Sequence, residues 1–134
     1  MQKEIVLSQD QISLLVKHAQ NNIPNESCAI LFVKINANQF TVKDIFLTRN
    51  VENSPIKFRL SDEDNVKLYL EADKKQFLVG IFHSHPDSEA YPSVIDQEYM
   101  ELNSGPWIIF SNKNQDFKAY VFESKITQIR LTIL

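Results

Sequence analysis

Phe77-Leu78-Val79-Gly80-Ile81-Phe82-His83-Ser84-His85-Pro86 is the stretch on which the architecture turns. The run from Phe77 to Phe82 is dense enough in apolar residues to read as a central strand, covered on both faces. It delivers two histidines at its end. Side chains two apart on a strand point to the same side, so His83 and His85 can both face one ion if the strand persists through them. Two histidines could fall together by chance, but the chain has only three, and this pair ends a buried strand where a pocket would open.

Working outward, the elements on either side are strand-rich. Glu4-Ile5-Val6-Leu7 reads as a first strand, and Ser8 with Gln11 as a capping box opening a helix that carries Ile12, Leu15, Val16 and Ala19 on one face. Pro24 ends the connection. Cys28 to Ile35 is a nearly continuous apolar run, better suited to a buried strand than to a helix. Asn36-Ala37-Asn38 turns it into a second strand with Phe40, Val42, Ile45 and Leu47, and Lys43-Asp44 suggests an irregularity midway. Ile56 to Leu60 reads as another short strand. Ser61 with Asp64 then caps a helix containing Val66, Tyr69, Leu70 and Ala72.

Beyond the histidines, Ser93 to Leu102 reads as a short third helix, stopped by Asn103-Ser104-Gly105-Pro106. Trp107 to Phe110, Phe117 to Phe122 and Ile126 to Leu134 complete the strands. Runs of adjacent strands favour an α+β class, a mixed sheet flanked by helices, over a strictly alternating βαβ fold.

The 134 residues, without linker, repeat or low-complexity tract, suit a single domain over 1–134. Hydrophobic residues at 43% and charged residues at 23% are ordinary for a globular protein. A net charge of −3 with scattered Lys and Arg gives no electrostatic case for a nucleic-acid partner. No membrane span or signal peptide is read, so the expected location is cytoplasmic. One cysteine, Cys28, excludes an intramolecular disulfide and agrees with a reducing compartment.

Chemistry concentrates in His83-x-His85-x7-Ser93-x-x-Asp96. Two imidazoles and a carboxylate fill three of the four tetrahedral positions of Zn²⁺ and leave one for water, the mark of a catalytic rather than a structural zinc. Taken alone, Ser93-x-x-Asp96 is an ordinary helix cap, like those at Ser8 and Ser61. Its place raises it, since a turn at Pro92 could bring Asp96 back to the strand end. Ser93 could then cap the helix or donate to a developing oxyanion. A base is still required. Asp87 and Glu89 sit on an exposed loop, a poor platform, whereas Glu26 stands just before the buried strand at Cys28, although taken by itself it reads as a solvated loop carboxylate. Cys28 itself reads as an inert core thiol, His18 as a surface residue, and Trp107, Tyr69 and the phenylalanines as core.

These residues, with Pro86, Pro92 and the upstream Pro24-x-Glu26-x-Cys28, resemble the JAMM (MPN+) zinc metalloprotease family in residue type, spacing and order. The resemblance implies a mixed curved sheet flanked by helices, of the cytidine-deaminase-like kind. It implies one catalytic zinc held by His83, His85 and Asp96, with Glu26 as general acid/base for a zinc-bound water and Ser93 stabilising the tetrahedral intermediate. It also implies hydrolysis of the isopeptide or peptide bond after the C-terminus of a ubiquitin-like modifier. The partner would be that modifier or its protein conjugates, with a homodimer or a proteasome-related assembly as further associations. With no Cys or His after Asp96, the chain resembles compact archaeal or bacterial members. Ala29 and Val33 depart from the family, which often has glycine at both positions. Two alternatives accompany this reading: trimming of a residue from a sulfur-carrier protein, and a noncatalytic MPN scaffold.

Overall fold

The structure, a computed structural model, describes residues 3–134; Met1 and Gln2, at the start of the expected domain, lie outside them. The element order is β1 (Glu4–Leu7), α1 (Gln9–Asn22), β2 (Cys28–Asn36), β3 (Gln39–Thr48), α2 (Asp62–Lys74), β4 (Leu78–His85), α3 (Val94–Leu102), β5 (Trp107–Ser111), β6 (Asp116–Glu123) and β7 (Lys125–Ile133). Strand β4 carries through both histidines and lies between antiparallel β2 and parallel β5, which is why Gly80 to His85 are buried.

The class is α+β with a mixed sheet flanked by helices, and the sheet closes on itself. Strands follow the order β1-β3-β2-β4-β5-β6-β7, and β1 pairs parallel with β3 on one side and β7 on the other, closing a barrel. Four residues of β1 thereby cover two edges that would otherwise invite pairing with another chain. Both glycines sit where β5 is brought against β4. A Cβ on Gly105 would lie 1.8 Å from the Val79 carbonyl oxygen, and one on Gly80 would lie 2.9 Å from that of Pro106.

Helix α1 starts at the capping box, with Ser8 Oγ accepting from Gln11 N–H at 3.1 Å and Gln11 Oε1 accepting from Ser8 N–H at 2.9 Å. Its Ile12, Leu15 and Ala19 are buried with β1 and with Ala29, Leu31 and Val33 of β2. A second apolar cluster gathers Cys28, Ile30, Phe32, Ile81, Trp107 and Ile109 with residues of α2 and α3. The irregularity near Lys43 is a bulge: Phe32 pairs with Asp44 and Val33 with Val42, leaving Lys43 without a partner.

Three local expectations need correction. Ile56 to Leu60 forms no strand; Phe58 and Leu60 are buried, while the backbone on either side bonds to the Asn50 side chain instead of a neighbouring strand. In α2, Tyr69 is at the surface rather than in the core, because Leu68 and Ala72, one turn apart, set the buried stripe and leave Val66, Tyr69 and Leu70 outside it. His18 is half-buried rather than a free surface residue, its Nε2 donating to the Cys28 carbonyl at 2.8 Å. Among the described residues, no helix is long and apolar enough to cross a membrane.

Candidate metal centre

The register of β2 on β4 brings the separated parts of the motif together. Cys28 lies opposite His83, so Glu26, two residues before the strand, reaches the histidine end of β4. Behind the site, Ser27 N–H donates to Ser84 Oγ at 2.9 Å and Ser84 N–H to the Ser27 carbonyl at 3.1 Å, fixing the approach to Glu26 against the intervening residue of the His-Ser-His run.

Three atoms then converge. His83 Nε2 and His85 Nε2 are 3.1 Å apart, and Asp96 Oδ2 lies 3.0 Å from the first and 3.1 Å from the second. Glu26 also offers an oxygen, within 4.8 Å of the two histidines' ligand atoms. Asp96 is the nearer carboxylate. All four residues are buried. The same Asp96 oxygen accepts from Ser93 N–H at 2.9 Å, while Ser93 Oγ accepts from Asp96 N–H at 3.1 Å. The cap and the approach to the histidines are one arrangement, so the two readings of Ser93-x-x-Asp96 do not compete.

The donor chemistry suits a cation. His85 Nδ1 faces the Glu89 carbonyl at 2.7 Å and must donate to it, which in the neutral ring leaves the Nε2 lone pair pointing at Asp96 Oδ2 and His83 Nε2. Three lone pairs meeting at about 3 Å repel unless a proton or a metal lies among them. Tetrahedral zinc with ligands at 2.0–2.1 Å holds its donor atoms roughly 3.3 Å apart, so the residues present fit such an ion closely. Glu26 Oε1 and His83 Nδ1 have no hydrogen-bond partner among the described residues.

The titration of these groups follows their surroundings. Burial pushes the Glu26 carboxyl up to about 8, against the opposing pull of His85, with Asp96 adding to the rise. Burial also opposes charge on Asp96, yet both imidazoles and the Ser93 N–H hold it below the usual carboxylate range. Complete burial lowers His83, whereas for His85 burial is outweighed by hydrogen bonds to Asp96 and the Glu89 carbonyl, which raise it. The Cys28 thiol is pushed up to about 11, mainly by burial, which agrees with an inert core residue.

Outside the four residues, a cleft of about 380 Å³ opens past Pro55 and Ile56, with Glu26, His85, Ser88 and Ser93 among its walls. Asp87 and Glu89 are exposed on the loop after β4, and Glu89 serves the site through its main chain. Ala29 and Val33 are fully buried on the α1 side of β2, away from the histidines. Sequence reading passed over Asn50, whose side chain bonds the Glu26 carbonyl at 3.0 Å, and Phe58, whose ring stacks on His83. An asparagine after a strand and a phenylalanine in a stretch that alternates apolar and charged residues carry no signal for a site.

The fold thus brings two histidines, an aspartate and a buried glutamate together as a candidate metal site, and comparison with known proteins gives the family of the domain that carries it. The family model for prokaryotic homologs of the JAB domain matches residues 8–123, and the chain belongs to that family. The desampylase of Pyrococcus furiosus is 32% identical over 111 residues, covering 81% of this chain and 76% of that protein. The CysO-cysteine peptidase of Mycobacterium tuberculosis is 28% identical over 111 residues, covering 82% and 75%. Tail tip assembly protein K of Escherichia phage N15 is 31% identical over 114 residues, or 84% of this chain but 43% of that protein. In fold, the chain is similar to the solution structure of a Desulfitobacterium hafniense protein, with a TM-score of 0.82, 23% identity and coverage of 97% and 92%.

Proposed function

We propose that the chain is a zinc-dependent peptidase or isopeptidase that hydrolyses the bond after the C-terminus of a ubiquitin-like modifier. The observation that carries the reading is the convergence of His83 Nε2, His85 Nε2 and Asp96 Oδ2 within about 3.1 Å of one another, beside the buried carboxyl of Glu26. His83, His85 and Asp96 would hold the ion. When bound, zinc supplies Lewis acidity toward the scissile carbonyl and brings the pKa of water from 15.7 to about 7.

The rest falls to the chain. Glu26 lies in a desolvated position and has an oxygen without a partner among the described residues, so it can take the proton of the attacking water and pass it to the leaving amine. Ser93 Oγ accepts from the helix, which leaves its own proton free to donate to the carbonyl oxygen as charge develops there. The cleft beside Pro55 and Ile56 would take the modifier's extended tail.

A second reading, removal of a residue from a sulfur-carrier protein, is favoured by the similarity to a CysO-cysteine peptidase over most of both chains. It uses the same four residues and differs only in substrate. Incubating zinc-loaded protein with an isopeptide-linked conjugate and with a linear carrier extension separates the two, beside a Glu26→Ala control. Cutting of the conjugate supports the first reading, and cutting of the extension alone the second. No bound zinc and no cleavage would leave the noncatalytic scaffold.

A further inference from the structure

We propose that residues 49–60, the strandless segment after β3, form the positioning element of the site, with Asn50 holding Glu26 and Phe58 holding the ring of His83. The inference rests on the reading of Glu26 as the proton carrier and His83 as a metal ligand.

Asn50 is buried, and both ends of its amide are used. Its Nδ2 donates to the carbonyls of Glu26 and Lys57, each at 3.0 Å, and its Oδ1 accepts from the N–H groups of Glu52 and Arg59, each at 3.1 Å. The Glu26 N–H donates to the Ser54 carbonyl at 2.9 Å. Both main-chain polar groups of Glu26 are therefore bonded to this segment. Its carboxyl has one oxygen without a partner, so its direction is inherited from a backbone that Asn50 holds.

The same amide fixes the residues on either side of Phe58. The Phe58 ring stacks on His83 with centroids 4.7 Å apart and planes at 24°, Tyr99 stacks behind it at 5.8 Å, and Trp107 meets His83 edge-on at 5.6 Å. The two histidines are thus oriented by different means. His85 is set by a hydrogen bond from Nδ1 to the Glu89 carbonyl, the usual device for a metal-binding imidazole. Among the described residues His83 Nδ1 has no such partner, so beyond the Nε2 contacts with Asp96 and His85 it is the aromatic stack that fixes its plane.

Phe58→Leu tests this, because it keeps an apolar side chain in the core but removes the plane. Zinc affinity is measured by competition with a chelator, His83 ring signals by NMR on metal-free protein, and stability by thermal unfolding. We expect zinc binding to weaken on the order of tenfold, comparable to loss of an outer-shell partner. The His83 signals should broaden, with most of the thermal stability retained. Asn50→Ala should weaken zinc binding as much and also lower kcat, while Lys17→Ala, exposed on α1 and outside the segment, should change neither. If Phe58→Leu binds zinc like the wild type with His83 signals unchanged, the inference is overturned. If the wild type binds no zinc, the reading of the site fails instead; broadening of the His83 signals in metal-free Phe58→Leu would then still support the role of Phe58, and unchanged signals would refute it.

Discussion

On the α1 side of β2 and β4 the buried side chains include the apolar Ala29, Leu31, Val33 and Phe82; on the other side, one residue out of phase, they include Cys28, Ile30, Ile81, His83 and His85, continued by Glu26 and Asp96. The two strands thus serve two purposes through their period-two alternation. The first face removes apolar surface from water, and its buried polar side chains, Ser27 and Ser84 at the strand ends, satisfy each other at 2.8 Å. The second buries two imidazoles and two carboxyls, which costs stability unless they find partners. The rise of Glu26 to about 8 reports that cost directly. The comparison separates where the domain's stability comes from and where its chemistry sits, and substitutions on each face should therefore fail differently.

The largest effects belong to the polar face. His83→Ala and Asp96→Ala should each lose bound zinc, by metal analysis, and lose turnover with it. Glu26→Ala should keep zinc and lower kcat on the order of 10²- to 10⁴-fold, the span of general acid–base contributions. Full turnover by Glu26→Ala would remove Glu26 from the mechanism. Next comes the apolar face: Leu31→Ala should destabilise the domain by about 2–5 kcal/mol in denaturant unfolding while leaving zinc affinity unchanged. A zinc affinity that fell in parallel would show that the two faces are not independent.

A pH series sharpens the contrast further. In metal-free protein, the folded-state value of Glu26 is raised from about 4.5 to about 8. Between those values the native state binds a proton that the unfolded chain has released. Stability is therefore lost as pH rises through this window, by up to a few kcal/mol. Glu26→Gln, which cannot ionise, should flatten that part of the profile. An unchanged slope would mean that the Glu26 carboxyl is solvated in solution.

Much of this contrast was written locally. The Phe77–His85 run, the Ser8, Ser61 and Ser93 caps and the break at Lys43 depend on neighbours in sequence, and all appear in the structure. What escaped was non-local. Nothing in Glu4-Ile5-Val6-Leu7 says that it pairs with β3 and β7 at once, since parallel partners are chosen by closure of the whole sheet. Phe58 and Leu60 alternate with Lys57 and Arg59 like a strand because they are buried alternately, yet their backbone bonds go to Asn50. The four parts of the candidate site could be named from motif and resemblance, whereas the devices that aim them could not.

The smallest effect tests the faces most finely. Ala29 stands where the family often has glycine, and its methyl is buried on the α1 side, opposite Phe82 on the neighbouring strand. Ala29→Gly removes one methyl from that core and loosens a strand backbone, together about 1 kcal/mol of destabilisation. Because residue 29 points away from the histidines, zinc affinity and kcat should be unchanged, and the loss should appear in thermal unfolding alone. A change in zinc affinity would mean that the spacing of β2 from β4 is set by side chains at position 29. The departure from glycine would then be part of how this chain builds its site, rather than a difference confined to the core behind it.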